Sequence, residues 1–158
     1  MLAEKTQITR AFSRLQPSPE WAFNDAGRSE TNYITHGYHR YPAKFIPNIV
    51  QQLMKEYTVP GDFVVDPFGG CGTTLVEAKV NGRQSYGFDI NPVAKLITQA
   101  KITPLNPKTL GNTLTKFDLL YQSMDAELPT IHNERLLYWF DENTLKELNR
   151  IYTSIKRI

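Results

Sequence analysis

The sequence of 158 residues contains one cysteine, Cys71, and little net charge. One cysteine cannot form a disulfide within the chain or a cysteine zinc site, which favours a reducing compartment such as the cytoplasm. Basic residues outnumber acidic ones by only 18 to 16, so charge neither indicates nor excludes a nucleic-acid partner. The apolar runs are too short to cross a bilayer, and charged residues occupy the amino terminus where a signal peptide would be apolar. We therefore predict a cytoplasmic protein with no membrane partner.

The composition predicts a folded chain of ordinary domain size. Hydrophobic residues make up 41% of the sequence, which is enough to bury a core. Residues 1–35 mix serine, proline, asparagine and glycine with scattered aromatics, and they predict an irregular amino-terminal arm to which we assign no function. Residues 36–158 are predicted to form one domain.

Strands and helices are predicted to alternate between residues 46 and 102. Apolar residues at helical spacing predict a helix over 46–57, and the β-branched run at 62–66 predicts a strand buried on both faces. A helix over 73–80, a strand over 85–90 and a third helix follow. This order predicts a parallel sheet in an α/β fold. Further along, helices are predicted over 110–124 and at the carboxyl terminus, where Asp141 is the expected cap.

A glycine-rich turn follows the first predicted strand and contains Gly69, Gly70 and Gly72. Such a turn lets a ligand approach the backbone N–H groups at the start of a helix. Taken alone, the glycines would be equally compatible with a tight turn of purely structural importance. Asp89 ends the next predicted strand, where it is placed to accept hydrogen bonds from a ribose, and this pairing favours a cofactor site.

The residues around the turn discriminate among cofactor classes. A phosphate-binding loop needs lysine after the last glycine, but Thr73 follows it. The dinucleotide pattern would need glycine where Leu75 stands, which disfavours a nicotinamide dehydrogenase. Asp66 would repel a pyrophosphate but suits a cofactor with a cationic amino-acid end. S-adenosylmethionine is such a cofactor.

Three segments carry a more specific pattern, and they stand in a fixed order along the chain. They read His39-Arg40-Tyr41-Pro42-Ala43-Lys44-Phe45-Ile46-Pro47, then Asp66-Pro67-Phe68-Gly69-Gly70-Cys71-Gly72-Thr73-Thr74, then Gly87-Phe88-Asp89-Ile90-Asn91-Pro92. Together they resemble the motifs of the amino-methylating DNA methyltransferases, which make N4-methylcytosine or N6-methyladenine. The resemblance covers roughly residues 36 to 103.

The resemblance implies that residues 36–158 are the S-adenosylmethionine-binding part of a methyltransferase domain. It implies a partial Rossmann-like methyltransferase fold with parallel strands and an incomplete sheet. It implies S-adenosylmethionine as cofactor, DNA as partner and a place in a restriction-modification system. In such enzymes the acidic residue of the third segment binds the ribose, and the first segment lines the methionine end. The implied cofactor-binding residues are His39, Tyr41, Pro42, Lys44, Phe45, Asp66, Pro67, Phe68, Gly69, Gly70, Gly72, Thr73, Thr74, Asp89, Ile90 and Asn91.

The catalytic motif of the resembled family has no counterpart here. Those enzymes hold the flipped base with a polar residue, two prolines and an aromatic, whereas this sequence contains no Pro-Pro pair. The nearest match, Asn91-Pro92-Val93-Ala94, lacks the aromatic. Only two strands are predicted, against about seven in a complete domain of that kind. We therefore expect a cofactor-binding part without catalytic residues, completed by a second polypeptide or a missing carboxyl-terminal part.

Two other functions remain open from the sequence. The chain could be a cofactor-binding or scaffold subunit, or a remnant, without transfer activity. It could also serve an RNA or protein methyltransferase, because a cofactor motif does not identify the acceptor. The target base and the recognition sequence are not encoded in any motif we find.

Overall fold

The computed structural model describes residues 9–10, 12–16, 18–129 and 134–158. The chain divides into two compact units, Met1–Thr103 and Pro104–Ile158. Part of the predicted amino-terminal arm, residues 1–8, 11 and 17, lies outside the described residues. The described part of the arm contains a 3₁₀ turn at Pro19–Trp21 and a short helix, α1, at Arg28–Thr31.

Two parallel strands form the sheet of the first unit. Strand β1 spans Phe63–Asp66 and strand β2 spans Gln84–Gly87, and they pair in register along their whole length. Helix α3, Thr73–Val80, forms the crossover between them. The predicted α/β fold is confirmed: the unit is a partial Rossmann-like methyltransferase fold with an open sheet.

Two further helices complete the first unit. Helix α2, Pro47–Tyr57, begins with a first-turn proline as predicted, and helix α4, Pro92–Ile102, begins after Asn91. The small core joins α2, α3 and β1, and its members are Val50, Met54, Ala78 and Val64. This core covers one face of the sheet.

The opposite face of the sheet is uncovered, so the prediction of a strand buried on both faces is wrong. The Phe63 and Val65 side chains of β1 are more than half exposed, at 53% and 56%. Tyr86 of β2 is also exposed, and its ring stacks on that of Phe63 with centroids 5.0 Å apart. The sequence pattern identified an apolar strand correctly, but within the described residues nothing buries this face.

The second unit consists of helices. Helix α5 spans Pro107–Ser123, α6 spans Glu134–Trp139 and α7 spans Glu142–Lys156. Asp141 caps α7 as predicted, because its Oδ1 accepts a hydrogen bond from the Thr144 N–H at 2.9 Å. The helix predicted over 110–124 is also confirmed, although it begins earlier, at Pro107.

Aromatic and charged side chains hold α5 against α7. The Arg150 guanidinium lies over the Tyr121 ring, 4.1 Å from its centroid, and its Nε donates to the Tyr121 carbonyl at 2.7 Å. The Tyr121 hydroxyl donates to Glu147 at 2.6 Å. Among the helices that the structure describes, none combines the length and apolar content needed to span a bilayer.

Candidate cofactor-binding site

The glycine turn joins β1 to α3 and forms the centre of the predicted site. Gly70 and Gly72 adopt positive φ angles of 50° and 80°, which residues with a Cβ rarely accept. The N–H of Gly72 donates to the Gly69 carbonyl at 2.8 Å and closes the turn. The N–H of Gly69 donates to the Phe88 carbonyl, also at 2.8 Å, which ties the turn to the chain leaving β2.

Asp89 joins the third predicted segment, residues 87–92, to this turn. Its Oδ2 accepts a hydrogen bond from the Gly70 N–H at 2.8 Å, and its Oδ1 accepts one from the Asn91 N–H at 2.8 Å. Asn91 caps α4 by accepting from the Val93 N–H at 3.0 Å. Each oxygen of the exposed Asp89 carboxylate has a second lone pair, so it can also accept from ligand hydroxyls.

The upstream segment reaches the turn at Tyr41 and Phe45. The Tyr41 Cε1 atom lies 3.6 Å from the position that a Cβ on Gly70 would occupy. The Phe45 carbonyl accepts a hydrogen bond from the buried Thr73 hydroxyl at 3.5 Å. Thr98 of α4 donates to the Gly70 carbonyl at 3.1 Å. The structure thus brings residues of all three predicted segments to one glycine turn.

Three residues of the upstream segment lie elsewhere. His39, Pro42 and Lys44 line a cavity of about 530 Å³ that shares no lining residue with the cavity beside Asp89. The Lys44 ammonium donates to the His36 carbonyl at 3.0 Å. Their contact with a cofactor stays a prediction.

The remaining predicted residues surround the turn. Asp66 is half-buried, and its Oδ1 accepts from the Phe68 N–H at 3.0 Å, so this carboxylate shapes the start of the turn. The Phe68 side chain is 87% exposed, and Pro67 and Ile90 are exposed as well. Thr74 is half-buried beside an apolar cavity that α2 and β1 also line. Phe68 and Ile90 therefore present free apolar surface next to the carboxyl ends of the strands.

A cavity of about 400 Å³ opens beside Asp89 and is lined by β2 and α4. At the glycine turn the cavity is lined by Gly69, Gly70 and Asp89. On α4 it is lined by Lys95 and Thr98, among others. This volume falls within the range of small-molecule pockets, about 300 to 1,000 Å³. We call it the Asp89 cavity.

A buried polar cluster connects the amino-terminal segment to α3, and the sequence did not predict it. Glu77 is fully buried, and its Oε1 accepts a hydrogen bond from the Tyr33 hydroxyl and lies 2.7 Å from Nε2 of the buried His36. Gln51 donates to the Tyr33 hydroxyl at 2.6 Å. Burial raises the pKa of Glu77, but hydrogen bonds from His36, Tyr33 and Gln51 outweigh it and lower that pKa below its ordinary value. Burial and the Glu77 carboxylate together raise the pKa of Tyr33.

The cluster anchors the chain just before the upstream segment. Tyr33 and His36 precede Tyr41 by only a few residues, and Glu77 sits on the helix that begins at the glycine turn. One feature of the sequence indicates this cluster. Glu77 stands between Val76 and Ala78 in an apolar helix, and a buried carboxylate needs a hydrogen-bonding or charged partner. Its partners lie far away in sequence, so the signal does not identify them.

The sequence comparisons agree with this geometry. Residues 4–100 match the family of DNA methylases designated N6_N4_Mtase, which is more than half of the chain and includes all three segments at the glycine turn. The chain belongs to this DNA methylase family. The resemblance noted from the motifs is thereby confirmed.

The chain is similar to several Type II methyltransferases. M.MvaI of Kocuria varians is 30% identical over 138 residues, covering 80% of this chain and 30% of the relative. M.MjaII of Methanocaldococcus jannaschii is 41% identical over 93 residues, covering 59% of this chain and 18% of the relative. The chain thus spans less than a third of the length of either relative. No solved structure matches it.

Proposed function

We propose that this member of the DNA methylase family is a cytoplasmic protein that binds S-adenosylmethionine and forms the cofactor-binding part of a restriction-modification enzyme. That enzyme would methylate the exocyclic amine of cytosine at N4 or adenine at N6 in DNA. The observation that carries the proposal is the hydrogen bond between Asp89 and the Gly70 N–H, which joins two cofactor elements at one cavity. The Type II methyltransferases among the relatives support DNA as the substrate.

The residues at the turn fit S-adenosylmethionine. The exposed Asp89 carboxylate can accept hydrogen bonds from both ribose hydroxyls, and it offers negative charge near a cationic ligand. The glycines let a ligand approach the backbone because they present no side chain. S-adenosylmethionine would supply the methyl group. The residues proposed to hold its methionine part are Asp66, Phe68, Gly69, Gly70, Gly72 and Thr73, with Asn91 close to the ribose.

The fold gives two residues a positioning role at this site. The Tyr41 ring lies where it would contact a Cβ on Gly70, and the Phe45 carbonyl accepts from the Thr73 hydroxyl at the start of α3. Both contacts keep the upstream segment beside the turn before a ligand arrives. Prepositioning of this kind reduces the ordering cost that binding must overcome.

Calorimetric titration with S-adenosylmethionine tests the proposal. We expect Asp89→Asn to weaken binding about ten- to hundredfold, because a hydrogen bond to a charged group contributes about 1.5 to 3 kcal/mol. Asparagine keeps the size of the side chain and one acceptor oxygen. The matched control is Asp118→Asn, which removes the same charge from an exposed residue of α5. This variant should bind S-adenosylmethionine like the wild type. A folded wild-type chain that binds S-adenosylmethionine no better than NAD would contradict the proposal.

We also propose that a further polypeptide segment completes the sheet and carries the Pro-Pro motif. A two-stranded parallel sheet with an uncovered apolar face is marginally stable in water and has free edges that accept another strand. Phe63, Val65, Tyr86 and Phe88 are each more than half exposed, and three of them lie on β1 or β2. The relatives extend well beyond the matched region, so they have residues to supply such a segment.

Co-expression with the neighbouring coding sequence tests this second step. We expect a stable complex and DNA methylation, and we expect Val65→Asp to reduce complex formation at least tenfold, since burying an unpaired carboxylate costs several kcal/mol. Val59→Asp, at a similarly exposed valine in the turn before β1, should leave the complex intact. A complex without methyl transfer would instead favour the scaffold function. Methylation of RNA or protein but not DNA would favour the other acceptor class.

A further inference from the structure

The cavity of about 530 Å³ on the amino-terminal segment is unusually basic. Its basic lining residues are Arg28, His39, Arg40 and Lys44, and no aspartate or glutamate among the described residues lines it. We call it the basic cavity. Three permanent positive charges around one opening create a local potential that the chain's small net charge does not reveal.

The two guanidinium groups of the basic cavity are free. In the described part of the chain, neither the Arg28 nor the Arg40 side chain has a hydrogen-bond or ion-pair partner. The Lys44 ammonium, by contrast, donates to the His36 carbonyl at 3.0 Å and approaches Asn32 Oδ1 at 3.5 Å. Lys44 therefore stabilises the backbone that lines the basic cavity. The guanidinium N–H groups of Arg28 and Arg40 remain available to donate to a ligand.

The chemistry of the lining favours a phosphate ligand. Guanidinium groups present planar pairs of N–H donors that match phosphate oxygens, and two of them can share one phosphodiester. His39 and Arg40 are exposed, so the opening can admit a continuous polymer backbone. Tyr41 lines this cavity, and its Cε1 atom lies 3.6 Å from the position that a Cβ on Gly70 would occupy, so the cavity and the glycine turn share this side chain as a neighbour.

We propose that the basic cavity binds a backbone phosphate of the DNA substrate through Arg28 and Arg40. This inference rests on the proposed function, because DNA is the substrate only if the chain serves a DNA methyltransferase. It assigns to Arg28 and Arg40, which are not among the proposed cofactor-binding residues, a contact with DNA. A phosphate held here would fix the duplex beside the cofactor turn, and it carries no sequence information.

Fluorescence anisotropy with a duplex DNA oligonucleotide tests the inference. Arg28→Gln and Arg40→Gln should each weaken DNA binding about fivefold at moderate salt, since each removes one phosphate contact. The slope of log affinity against log salt, measured between about 50 and 200 mM, should fall by about one for each arginine lost. Lys55→Gln removes one exposed charge on α2 outside the cavity, and it should leave both quantities close to wild type.

Titration of the same variants with S-adenosylmethionine separates this inference from the proposed function. We expect both arginine variants to bind S-adenosylmethionine like the wild type. A parallel loss of cofactor binding would assign the cavity to the cofactor and overturn the inference. The inference would be overturned if the wild type bound the cofactor but bound no DNA at low salt. It would also be overturned if the arginine variants bound DNA with the same affinity as Lys55→Gln. Neither result would contradict the proposed function. Tighter binding of duplex RNA or of inorganic phosphate than of DNA would reject DNA as the source of the phosphate.

Discussion

Replacing Glu77 with alanine is expected to lower the free energy of unfolding by about 3 to 5 kcal/mol, because several hydrogen-bond donors lose a charged, buried acceptor. Glu77 is fully buried and accepts from the Tyr33 hydroxyl, with His36 Nε2 at 2.7 Å. Its Oε2 also accepts from Asn81 at 3.2 Å. Without the carboxylate, the buried His36 and the half-buried Tyr33 lose this acceptor, whereas Asn81 keeps the Glu77 carbonyl at 2.7 Å. Urea unfolding of the two proteins measures the difference.

Two comparisons make the Glu77 prediction specific. Glu56→Ala removes an exposed carboxylate from α2 and should change stability little, because exposed side chains contribute little. Glu77→Gln keeps the size and one acceptor oxygen, so it should lose less stability than Glu77→Ala. If Glu77→Ala were as stable as Glu56→Ala, the cluster would not anchor the amino-terminal segment.

The same residue should make stability depend on pH. The pKa of Glu77 is lowered in the folded state, so on acidification the unfolded chain takes up the proton first. The stabilising contribution is therefore complete above the ordinary value of about 4.5 and is lost as the pH falls through the lowered pKa. We expect the wild type to lose more stability than Glu77→Gln below pH 4.5. Parallel pH profiles of the two proteins would contradict this.

Replacing Gly72 with alanine should cost about 2 to 4 kcal/mol. Gly72 has a φ angle of 80°, and a Cβ there would lie 2.7 Å from both Cγ2 and Oγ1 of Thr98. Strain at a positive φ angle and overpacking each cost about 1 to 3 kcal/mol. Thr98 cannot move away freely, because its hydroxyl donates to the Gly70 carbonyl. We therefore expect weaker S-adenosylmethionine binding as well as lower stability.

Gly111→Ala is the matched control for this substitution. Gly111 lies inside helix α5, and a Cβ there would meet no atom within 4 Å. Alanine has a higher helix propensity than glycine, so this variant should gain up to about 1 kcal/mol. Opposite signs for the two substitutions in thermal unfolding would confirm the special geometry at Gly72. A mild effect at Gly72 would mean that the turn can relax.

The local pattern of the sequence was sufficient to predict the glycine turn and its place between β1 and α3. The glycine spacing, the strand before it and Asp89 after the next strand predicted a site that the structure assembles around Gly70. Short-range rules suffice here because a strand, a tight turn and a helix cap depend on neighbouring residues. Asn91 and Asp141 cap their helices for the same reason.

Long-range contacts were not predictable in this way. Glu77 meets Tyr33 and His36 across more than forty positions, a pairing that no local pattern encodes. The cavity that His39, Lys44 and Arg28 line together is equally a result of packing, because Arg28 stands more than ten positions before His39. The burial of β1 was predicted wrongly. Apolar residues in a strand favour burial of both its faces, but they do not reveal whether another element packs on each face.

The sequence by itself determined the family, the α/β order of elements and the glycine turn with Asp89, because each depends on residues close together in the chain. The tertiary structure alone decided which side chains meet. It paired Glu77 with His36, left one face of the sheet open, and gathered Arg28 and Arg40 around a separate cavity. These outcomes follow from packing between segments that are distant in the chain. Such packing depends on which apolar and charged side chains the folded unit as a whole can bury or pair.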